Sequence, residues 1–572
     1  MHVVATAGHV DHGKSTLIKA LTGTDPDRLE EEKARGLTID LGFAGAKLPS
    51  GRGISFIDVP GHIRFLKNML AGVGGVDACV FVVAATEGWK PQSEEHLRIL
   101  SLLGIEHGIV ALTKVGQVDD ELAELAQMEV AEHTEGTFLA DAPVVPVDAI
   151  DGIGMDDLRA ALDDLLDVTP TAADHKQPRL WIDRVFAAKG AGTVVTGTLT
   201  GGMVRVDDEL SIRPGDHDVR VRALQSQYAE RTKVGPGNRV AANLSGVSHD
   251  QVTRGDVLVR DGDWHLTRRV DASLQVLDSL DRPVTRRGAH LLYLGSGEHP
   301  VRVRVLGPDA IEPGASGFVR MHLPVELPLV PGDRFILRES GQGVTLGGGE
   351  ILDVDPLVAA AKARPDRSVE RVVRERGRVD VDHLRRLTGE RREPDVGRWA
   401  VDPTELERVT GELRAAVDGA GALGLDIAPL GEFERAVLDT LDDLAVEGGH
   451  ARPAAAADPL AESGVVARLA ADPFAPPDVD DVDPAEIREL VRRGDLIQLD
   501  GVVFAASALD DAARVVARLL AEKPDGITVA EARDGWGTTR KFAIPLITRL
   551  DDTGVTRRRG DLRIAGPRLP EL

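Results

Sequence analysis

Nine consecutive residues near the start of the chain have the types and spacing that bind the phosphates of a nucleotide. The glycines of such a loop let backbone N–H groups curl around phosphates, its lysine reaches the outer phosphates, and its hydroxyl ligates Mg²⁺. A strand must precede the loop and a helix must follow it, and residues 2–7 and the segment STLIKALTG fit those places. The loop G-x-x-x-x-G-K-[ST] and the next threonine are Gly8, His9, Val10, Asp11, His12, Gly13, Lys14, Ser15 and Thr16.

Two further elements follow in the order that a nucleotide-hydrolysing site requires. Asp58 and Gly61 end the segment ISFIDVPG, where the carboxylate can hold the Mg²⁺ shell and the glycine can meet the γ-phosphate. Thr38, in RGLTI between the loop and that strand, is placed to supply a second hydroxyl to the metal. These elements predict a nucleoside triphosphate site whose Mg²⁺ is held by Ser15, Thr38 and Asp58.

The motifs GHVDHGKST, RGLTID and DVPGH together resemble the translational GTPases, the class that includes elongation factor Tu. The resemblance implies GTP and Mg²⁺ as cofactors, the ribosome as activating partner, and hydrolysis by positioning and charge neutralisation alone. In that class the histidine after DxxG positions the attacking water, which points to His62. Val10 and Leu37 would form the apolar gate that keeps His62 away from water until the ribosome docks. A structural or surface role is the alternative for His62.

The guanine-reading motif of this family is incomplete in the chain. The family has N-K-x-D, whose aspartate accepts hydrogen bonds from the base, whereas this chain has Thr113, Lys114 and then Gly116 in place of the aspartate. Thr113 and Lys114 remain assigned to nucleotide binding by the resemblance.

A second departure from the family pattern suggests a replacement for that aspartate. Where the family has Ser-Ala, this chain has Asp148 and Ala149. In GTPases of this fold that serine lies against the missing aspartate, so we hypothesise that Asp148 supplies the carboxylate that Gly116 lacks. Asp119 or Asp120 are alternatives, as are backbone contacts alone.

The elements that hold these residues follow from the pattern of apolar runs. Up to about residue 170, strands and helices alternate, and runs such as VFVVAA predict central strands of a doubly wound α/β domain. Short alternating strands then predict two β-barrels, and a helical region with hairpins follows from residue 355. The predicted domains are 1–172 (GTP-binding), 173–263 and 264–355 (β-barrels), 356–507 (winged-helix modules) and 508–572 (the last, RNA-binding winged helix).

The first barrel region resembles the second domain of the same factors, which helps to hold the aminoacyl end of tRNA. Its segment WIDRVF looks like that of the selenocysteine-specific branch of the family. By this resemblance Asp183, Arg184 and Arg239 are assigned to a pocket for the selenol. A selenol is largely ionised at neutral pH, so arginine is a natural discriminator against serine or cysteine. Ion pairs on the barrel surface are the alternative.

The C-terminal region repeats a helix followed by a two-stranded hairpin. DPAEIRELVRRGDLIQLDGVVFAA and KFAIPLITRLDDTGVTRRRGDLRIAG share this order, which predicts tandem winged-helix modules. Between residues 540 and 568, eight basic residues stand against three acidic ones. The last module resembles the one that grips an mRNA hairpin in the selenocysteine-specific branch. The residues assigned to mRNA binding are Thr538, Thr539, Arg540, Lys541, Arg557, Arg558, Arg559 and Arg563. A solvated charge run on a protein-interaction module is the alternative.

The bulk composition sets limits on the class of protein. Hydrophobic residues make up 42% and charged residues 28%, which is ordinary for a soluble protein. No apolar run reaches membrane-spanning length, and a single cysteine excludes an intramolecular disulfide framework. A cytoplasmic monomer without membrane contact is expected. The net charge of −25 does not exclude a nucleic-acid partner, because phosphate binding depends on local basic surface.

The leading interpretation is a GTPase of the selenocysteine-specific branch. It would deliver selenocysteinyl-tRNA to the ribosome at UGA codons marked by an mRNA hairpin. Another translational GTPase with a general RNA-binding tail is one alternative. A nucleotide-gated RNA-binding scaffold with little turnover is the other, and the incomplete guanine motif keeps it open.

Overall fold

The structure, a computed structural model, divides the chain into two units, Met1–Asp402 and Pro403–Leu572. It describes residues 2–27, 31–32, 38–61, 66–73, 75–188, 192–341, 343–420, 424–455, 460 and 463–571. Within the described residues, no helix is long and apolar enough to cross a membrane.

The first domain is a six-stranded sheet with helices on both faces. Its strands are β1 (His2–Ala7), β2 (Gly42–Lys47), β3 (Gly53–Asp58), β4 (Ala78–Ala84), β5 (Gly108–Thr113) and β6 (Val144–Pro146), in the order β2-β3-β1-β4-β5-β6. Its described helices include α1 (Lys14–Thr22), α2 (Leu66–Val73), α3 (Pro91–Leu102), α4 (Asp120–Thr134) and α5 (Met155–Val168). Only β2 pairs antiparallel. The loops after β1, β3, β5 and β6 therefore meet at one edge of the sheet.

The sheet is held by two cores, one on each face. Along β4 all residues are buried, and alternate side chains enter opposite cores: Val80 and Val82 on one face, Phe81 and Val83 on the other. A strand covered on both faces reads as a continuous apolar run, which is why VFVVAA predicted its position.

The second domain is a closed antiparallel barrel. Its strands are β7 (Arg179–Ala188), β8 (Gly192–Thr200), β9 (Val204–Arg205), β10 (Glu209–Arg213), β11 (His217–Ser226), β12 (Ala229–Arg231), β13 (Lys233–Val234), β14 (Asn238–Ser245) and β15 (Val257–Val259). The sheet order β10-β15-β7-β8-β14-β11 closes through the pairing of β10 with β11. A bulge interrupts the β7–β8 pairing between Ile182 and Arg184, so that Asp183 has no partner across the ladder.

The third domain is a second closed barrel, with the order β16-β21-β19-β18-β22-β23. Its strands are β16 (Leu266–Val276), β17 (Val284–Thr285), β18 (His290–Leu294), β19 (Gly297–Leu306), β20 (Ala310–Ile311), β21 (Ser316–Pro328), β22 (Arg334–Glu339) and β23 (Thr345–Asp353). Buried side chains from β16, β19, β21 and β23 fill its core.

A small helical module follows this barrel and packs directly on it. It contains α6 (Val369–Arg376), β24 (Arg378–Asp380), α7 (Val381–Thr388) and β25 (Trp399–Val401). Val372 and Leu384 belong to the same hydrophobic core as the barrel. Arg371 Nη1 pairs with Asp353 Oδ2, at the end of β23, at 2.8 Å. The predicted 356–507 region is therefore divided between the two units of the chain.

The second unit repeats helices and short hairpins. Its helices are α8 (Pro403–Gly419), α9 (Glu432–Leu438), α10 (Gly464–Ala471), α11 (Pro484–Arg493), α12 (Ser507–Glu522), α13 (Val529–Gly535) and α14 (Arg540–Asp552). Its strands are β26 (Leu425–Asp426), β27 (Leu444–Glu447), β28 (His450–Pro453), β29 (Leu496–Leu499), β30 (Val502–Ala505), β31 (Ile527–Thr528), β32 (Thr556–Arg559) and β33 (Leu562–Ala565). Both hairpins predicted from the sequence, β29–β30 and β32–β33, are present.

The architecture confirms the predicted fold class: an α/β P-loop domain, two β-barrels and C-terminal modules of helices and hairpins.

Candidate functional site

The loop between β1 and α1 is closed around the ammonium group of Lys14. Its Nζ donates to Gly8 O at 3.1 Å and to His9 O at 2.6 Å, and burial lowers its pKa to about 8. Gly8 has a φ of 128°, and a Cβ there would lie 2.2 Å from Val82 O. A Cβ on Gly61 would lie 2.5 Å from Lys14 Nζ. The loop therefore brings its backbone and its cation together where phosphates would be cradled.

Three oxygen-bearing side chains predicted to hold Mg²⁺ converge beside this loop. Ser15 Oγ donates to Asp58 Oδ2 at 2.6 Å and lies 2.8 Å from Thr38 Oγ1. Burial raises the pKa of Asp58 to about 6, against the hydrogen bonds from Ser15 and Thr6 that lower it. A buried carboxylate with two hydroxyls offers the hard oxygen ligands that Mg²⁺ accepts when the nucleotide supplies the others. The residues therefore fit the metal that the family implies.

The described residues contain no group of three or more His, Cys, Asp or Glu able to hold a metal ion by themselves. A metal at this site would consequently depend on phosphate oxygens. When bound, Mg²⁺ would neutralise charge on those phosphates.

Two side chains from α3, the buried His96 and the half-buried Gln92, support the phosphate loop from behind. Gly8 N donates to His96 Nδ1 at 3.1 Å, and Val10 N donates to Gln92 Oε1 at 3.3 Å. Burial lowers the pKa of His96 to about 3, so the ring is neutral and its Nδ1 can accept. His12 is also buried, and Thr113 Oγ1 donates to its carbonyl at 2.7 Å.

Some of the residues predicted from the sequence lie at the edge of the site, and others fall outside the described residues. Asp11 and Thr16 are exposed, Asp11 with a φ of 62°. Val10 is half-buried in the loop. His62 and Leu37 lie outside the described residues, so the hydrolytic histidine and one side of its gate stay predictions.

The residues assigned to guanine reading lie at the end of β5 and in the loops after β5 and β6. Lys114 has a φ of 59° and its Nζ lies 3.6 Å from Glu87 Oε1. Asp148 is buried, with its Oδ1 accepting from Ile150 N at 3.0 Å. Ala149, next to it, is half-buried. Asp119, one of the alternatives, caps α4 by accepting from Leu122 N at 2.9 Å.

The three residues predicted to contact the selenol meet at one place. Arg239 donates through both terminal nitrogens to Asp183, at 2.6 and 2.8 Å, and Asp183 Oδ1 also accepts from Thr196 Oγ1 at 2.8 Å. The side chains of this pair are only 6% and 13% exposed, so it is not an ion pair on the barrel surface. The guanidinium groups of Arg184 and Arg239 both lie over the ring of Phe43, with their carbons 4.4 and 3.3 Å from its centroid.

A cavity of about 200 Å³ opens beside Arg239, between β2–β3 of the first domain and the first barrel. Phe43, Thr196, Gln225, Tyr228 and Arg239 are among its lining residues. The cavity places an arginine, a hydroxyl and an aromatic ring around a space of side-chain size.

The nucleotide site and this cavity are connected through a short stretch of chain. Two residues after Thr38, Asp40 lies 3.7 Å from Arg184 Nη2 and 3.5 Å from Arg254 Nη1. Arg184 also donates to Leu41 O. Arg254 Nη1 further donates to Asn68 Oδ1 on α2, at 3.1 Å. The segment that carries a predicted metal ligand thus also holds the barrel arginines.

Four arginines of the last module line a groove between α13, α14 and the β32–β33 hairpin. The groove has a volume of about 530 Å³ and is lined by Arg533, Arg540, Arg558 and Arg563, with Ile544 and Ile547 at its base. Arg558 lies opposite Arg563 in the register of the hairpin. The side chains of Arg557 and Arg559 lie on the other face of β32, because side chains alternate along a strand. The run of three arginines is therefore split between two faces.

The residues assigned to mRNA binding differ in how available they are. Thr539, Arg540, Lys541 and the three consecutive arginines are exposed. Arg563 is buried and pairs with Asp551 Oδ2 of α14 at 2.7 Å, which fastens the hairpin to the helix. The hydroxyl of Thr538 donates to Phe474 O. Arg563 therefore joins two elements of the module, and Thr538 ties the module to the segment that precedes it.

Four residues near these sites were not predicted from the sequence. Asp27 accepts from Thr38 Oγ1 at 2.9 Å, and Phe43, His96 and Arg533 have the places described above. His96 lies on an apolar helical face and Phe43 on a strand, where each is typical of ordinary core. Asp27 alone had a usable signal, since it stands in a polar segment that leads from the loop helix toward Thr38.

Three family profiles match separate parts of the chain. "Elongation factor Tu GTP binding domain" matches residues 1–168, and "Elongation factor Tu domain 2" matches residues 192–259. "Elongation factor SelB, winged helix" matches residues 518–565. The matches fall on the P-loop domain, the first barrel and the last winged-helix module.

Curated relatives are similar to the chain over much of its length. The selenocysteine-specific elongation factor of Desulfomicrobium baculatum is 41% identical over 61% of this chain and 55% of that protein. The selenocysteine-specific elongation factor of Escherichia coli K12 is 37% identical over 77% of this chain and 69% of that protein. The matched region thus spans about half to two thirds of these relatives' length.

Solved structures agree with the sequence matches. A crystal structure of a bacterial selenocysteine-specific elongation factor, EF-Sec, aligns over 99% of both chains with a TM-score of 0.74 and 27% identity. Elongation factor SelB from Methanococcus maripaludis, in complex with the GTP analogue GPPNHP, aligns over 62% of this chain with a TM-score of 0.54 and 26% identity. The P-loop domain, the barrels and the last winged helix, together with these likenesses, establish that the chain belongs to the family of selenocysteine-specific elongation factors.

Proposed function

We propose that the chain is a GTPase that delivers selenocysteinyl-tRNA to the ribosome at UGA codons marked by an mRNA hairpin. Among the observations that support this, the largely buried cluster of Asp183, Arg184 and Arg239 beside the cavity carries the most weight. A cluster built of one carboxylate and two guanidinium groups suits an ionised selenol better than a neutral hydroxyl.

The nucleotide would control access to this cavity through the segment from Thr38 to Leu41. Bound GTP and Mg²⁺ would hold Thr38, and the adjoining Asp40 and Leu41 would then keep Arg184 in place. Loss of the γ-phosphate would release both ends of the segment together, because only a few residues separate them. The amino acid would accordingly be held in the GTP state and freed after hydrolysis.

Hydrolysis itself is assigned to His62, which would orient the attacking water, with Val10 and Leu37 as its gate until the ribosome docks. Lys14 and the backbone of the phosphate loop would neutralise charge on the phosphates. The exposed arginines of the last module would contact the mRNA hairpin. The proposal places the protein in the cytoplasm as a monomer.

The test compares binding of two aminoacyl-tRNAs by the purified full chain with GTP. Selenocysteinyl-tRNA and seryl-tRNA on the same tRNA body differ only in the selenol and the hydroxyl. Strong preference for the selenocysteinyl form, reduced in Arg239→Met, is the expected result. Equal binding would contradict the pocket and leave a translational GTPase with another cargo.

A further inference from the structure

We propose that Asp148 reads the guanine base, so that the selecting carboxylate comes from the loop after β6 and not from the loop after β5. This assignment rests on the guanine-nucleotide site of the proposed function. It concerns the selectivity of that site among purine bases, which the family likeness does not supply because the usual aspartate is replaced by Gly116.

The space next to Gly116 is filled by carboxylate oxygen. A Cβ at position 116 would lie 3.1 Å from Asp148 Oδ2 and 3.1 Å from Asp151 Oδ2. The side chain of Asp148 therefore extends to the position at which an aspartate on residue 116 would begin. Glycine at position 116 leaves room for the side chain of Asp148, which is longer than the serine that the family has at this place.

The two oxygens of Asp148 have different tasks. Oδ1 accepts from the backbone N–H groups of Ile150 and Asp151 at 3.0 and 3.3 Å, which fixes the loop. Oδ2 has no hydrogen-bond partner among the described residues, even though it is buried in a residue that is only 2% exposed and so has no solvent water to replace one. A buried acceptor without a donor is costly, so a ligand that donates hydrogen bonds there gains affinity.

The neighbouring carboxylates are less suitable. Asp119 caps α4 through its bond from Leu122 N and serves that helix. Asp151 is exposed, and its Oδ2 lies beside the same point as Asp148 Oδ2. No side-chain hydrogen bond holds Asp151 among the described residues, so its side chain can rotate away from a base more easily than that of Asp148. Asp148 stays in place because its Oδ1 is tied to the loop.

The same loops are connected to the phosphate loop. Thr113, at the end of β5, donates to the carbonyl of His12 at 2.7 Å, and Val115 N donates to Val147 O at 3.4 Å. Phosphates in the P-loop therefore place a base near the turn that contains Gly116. Lys114, in its left-handed conformation, stands on the same turn.

The chemistry of the bases gives a specific expectation. Guanine presents N1–H and N2–H₂ donors on one edge, and Oδ2 of Asp148, which has two lone pairs and no other donor, can accept from both. Xanthine has an oxygen in place of the amino group, so it needs a donor at that point, which an amide supplies. Adenine presents an acceptor at N1 and is rejected by a carboxylate.

The experiment measures the affinity of the full chain for GDP and for xanthosine diphosphate. Asp148→Asn keeps an oxygen for the loop bonds and replaces Oδ2 by an amide. We expect GDP affinity to fall at least tenfold, because an amide NH₂ in place of Oδ2 cannot accept from guanine, whereas xanthosine diphosphate affinity should change much less. Asp151→Asn, the matched control, should change either affinity by less than about threefold. The assignment would be overturned if Asp148→Asn kept the wild-type preference for GDP over xanthosine diphosphate. It would also be overturned if Asp151→Asn were the variant that lost this preference.

A reciprocal pair of substitutions supplies an independent readout. Gly116→Asp alone crowds two carboxylates together and should weaken GDP binding, because like charges repel and the space is already filled. Gly116→Asp combined with Asp148→Ser restores the family arrangement and should recover wild-type affinity within about threefold. Failure of this recovery would oppose the assignment. Neither result depends on tRNA. If the wild-type chain showed no preference for selenocysteinyl-tRNA, the proposed function would be contradicted, but the assignment of Asp148 would not.

Discussion

The guanidinium carbon of Arg239 lies 3.3 Å from the centroid of the Phe43 ring. Phe43 belongs to the P-loop domain and Arg239 to the first barrel, so the contact joins these two domains beside the cavity that both of them line. The same ring supports Arg184. One aromatic side chain thereby orients both arginines of the predicted pocket.

Replacing Phe43 by leucine should weaken discrimination between selenocysteinyl-tRNA and seryl-tRNA about fivefold. The reason is that a cation–π contact at a half-buried site contributes about 1 kcal/mol. The measurement is the ratio of the two affinities in the presence of GTP. Tyr228→Phe is the comparison, because it keeps the ring of this 74% exposed lining residue and removes only the hydroxyl that donates to Phe43 O at 3.4 Å, leaving the stacking of Phe43 under the arginines intact. An unchanged ratio in Phe43→Leu would show that the ring has no part in selection.

Removing the carboxylate of Asp183 should destabilise the first barrel by about 3 kcal/mol in Asp183→Asn. The substitution leaves the buried Arg239 without its counter-ion. Hydrogen exchange of the β7 and β14 amides in the full chain measures this locally. Asp207→Asn breaks the exposed pair with Arg220 on the same barrel and should cost less than about 1 kcal/mol. Equal effects of the two substitutions would contradict the structural distinction between the pairs.

The arginines of the last module should separate into two groups when each is replaced by alanine. Arg558 lines the groove beside α14, and Arg557 lies on the opposite face of the hairpin. Arg558→Ala should weaken binding of the mRNA hairpin about tenfold and lower the salt dependence by about one phosphate. Arg557→Ala should have a smaller effect on both. The reverse order would place the RNA on the other face.

Arg563 is expected to act on stability. Its ion pair with Asp551 is largely buried, so Arg563→Met should speed hydrogen exchange of the β33 amides. In contrast, Arg558→Ala should leave that exchange unchanged. Normal exchange together with a large loss of RNA affinity in Arg563→Met would reassign this residue to direct contact.

The stability of the P-loop domain should fall as the pH decreases below 6.5, in part through His96. Burial lowers the pKa of His96 from 6.5 to about 3 in the folded chain, so the unfolded chain binds the proton first. The associated stability is complete above pH 6.5 and is lost as the pH falls toward 3. Between pH 7 and 5.5 the His96 contribution is about 1 kcal/mol.

The substitution His96→Gln keeps an acceptor for Gly8 N and removes this titration. Exchange of the β1 and β4 amides, measured at both pH values, should therefore depend less on pH in the variant than in the wild type. Parallel pH dependence would mean that His96 is protonated in the folded chain. GDP affinity serves as the check that the loop is intact.

The fold could be predicted from the sequence because each element has a local signal. A strand buried on both faces such as β4 is a continuous apolar run, and the hairpins β29–β30 and β32–β33 are marked by Asp-Gly and Gly-Asp turns. The phosphate loop and Asp58 were predictable for the same reason, since their residues are adjacent or stand at strand ends.

What the sequence did not reveal depends on contacts between distant segments. Phe43 and Arg239 are far apart along the chain, and nothing local marks the ring as a support for arginine. The buried state of Arg563 depends on Asp551, so a basic residue in a basic run was assigned to RNA. The packing of residues 369–401 onto the second barrel likewise follows from the Arg371–Asp353 pair, which spacing does not disclose.

The pairing of Gly116 with Asp148 has a consequence for how such a chain can arise by descent. An ancestor with aspartate at 116 and serine at 148 cannot reach the present pair by one substitution. If glycine at position 116 appears first, the intermediate has neither of the two carboxylates beside the proposed base site. If aspartate at position 148 appears first, two carboxylates are crowded together, because a Cβ at position 116 would lie 3.1 Å from Asp148 Oδ2. On the proposed assignment, each intermediate selects its nucleotide less well than the ancestor or the present chain. The completed exchange of the two residues is therefore expected to persist in the descendants of the chain.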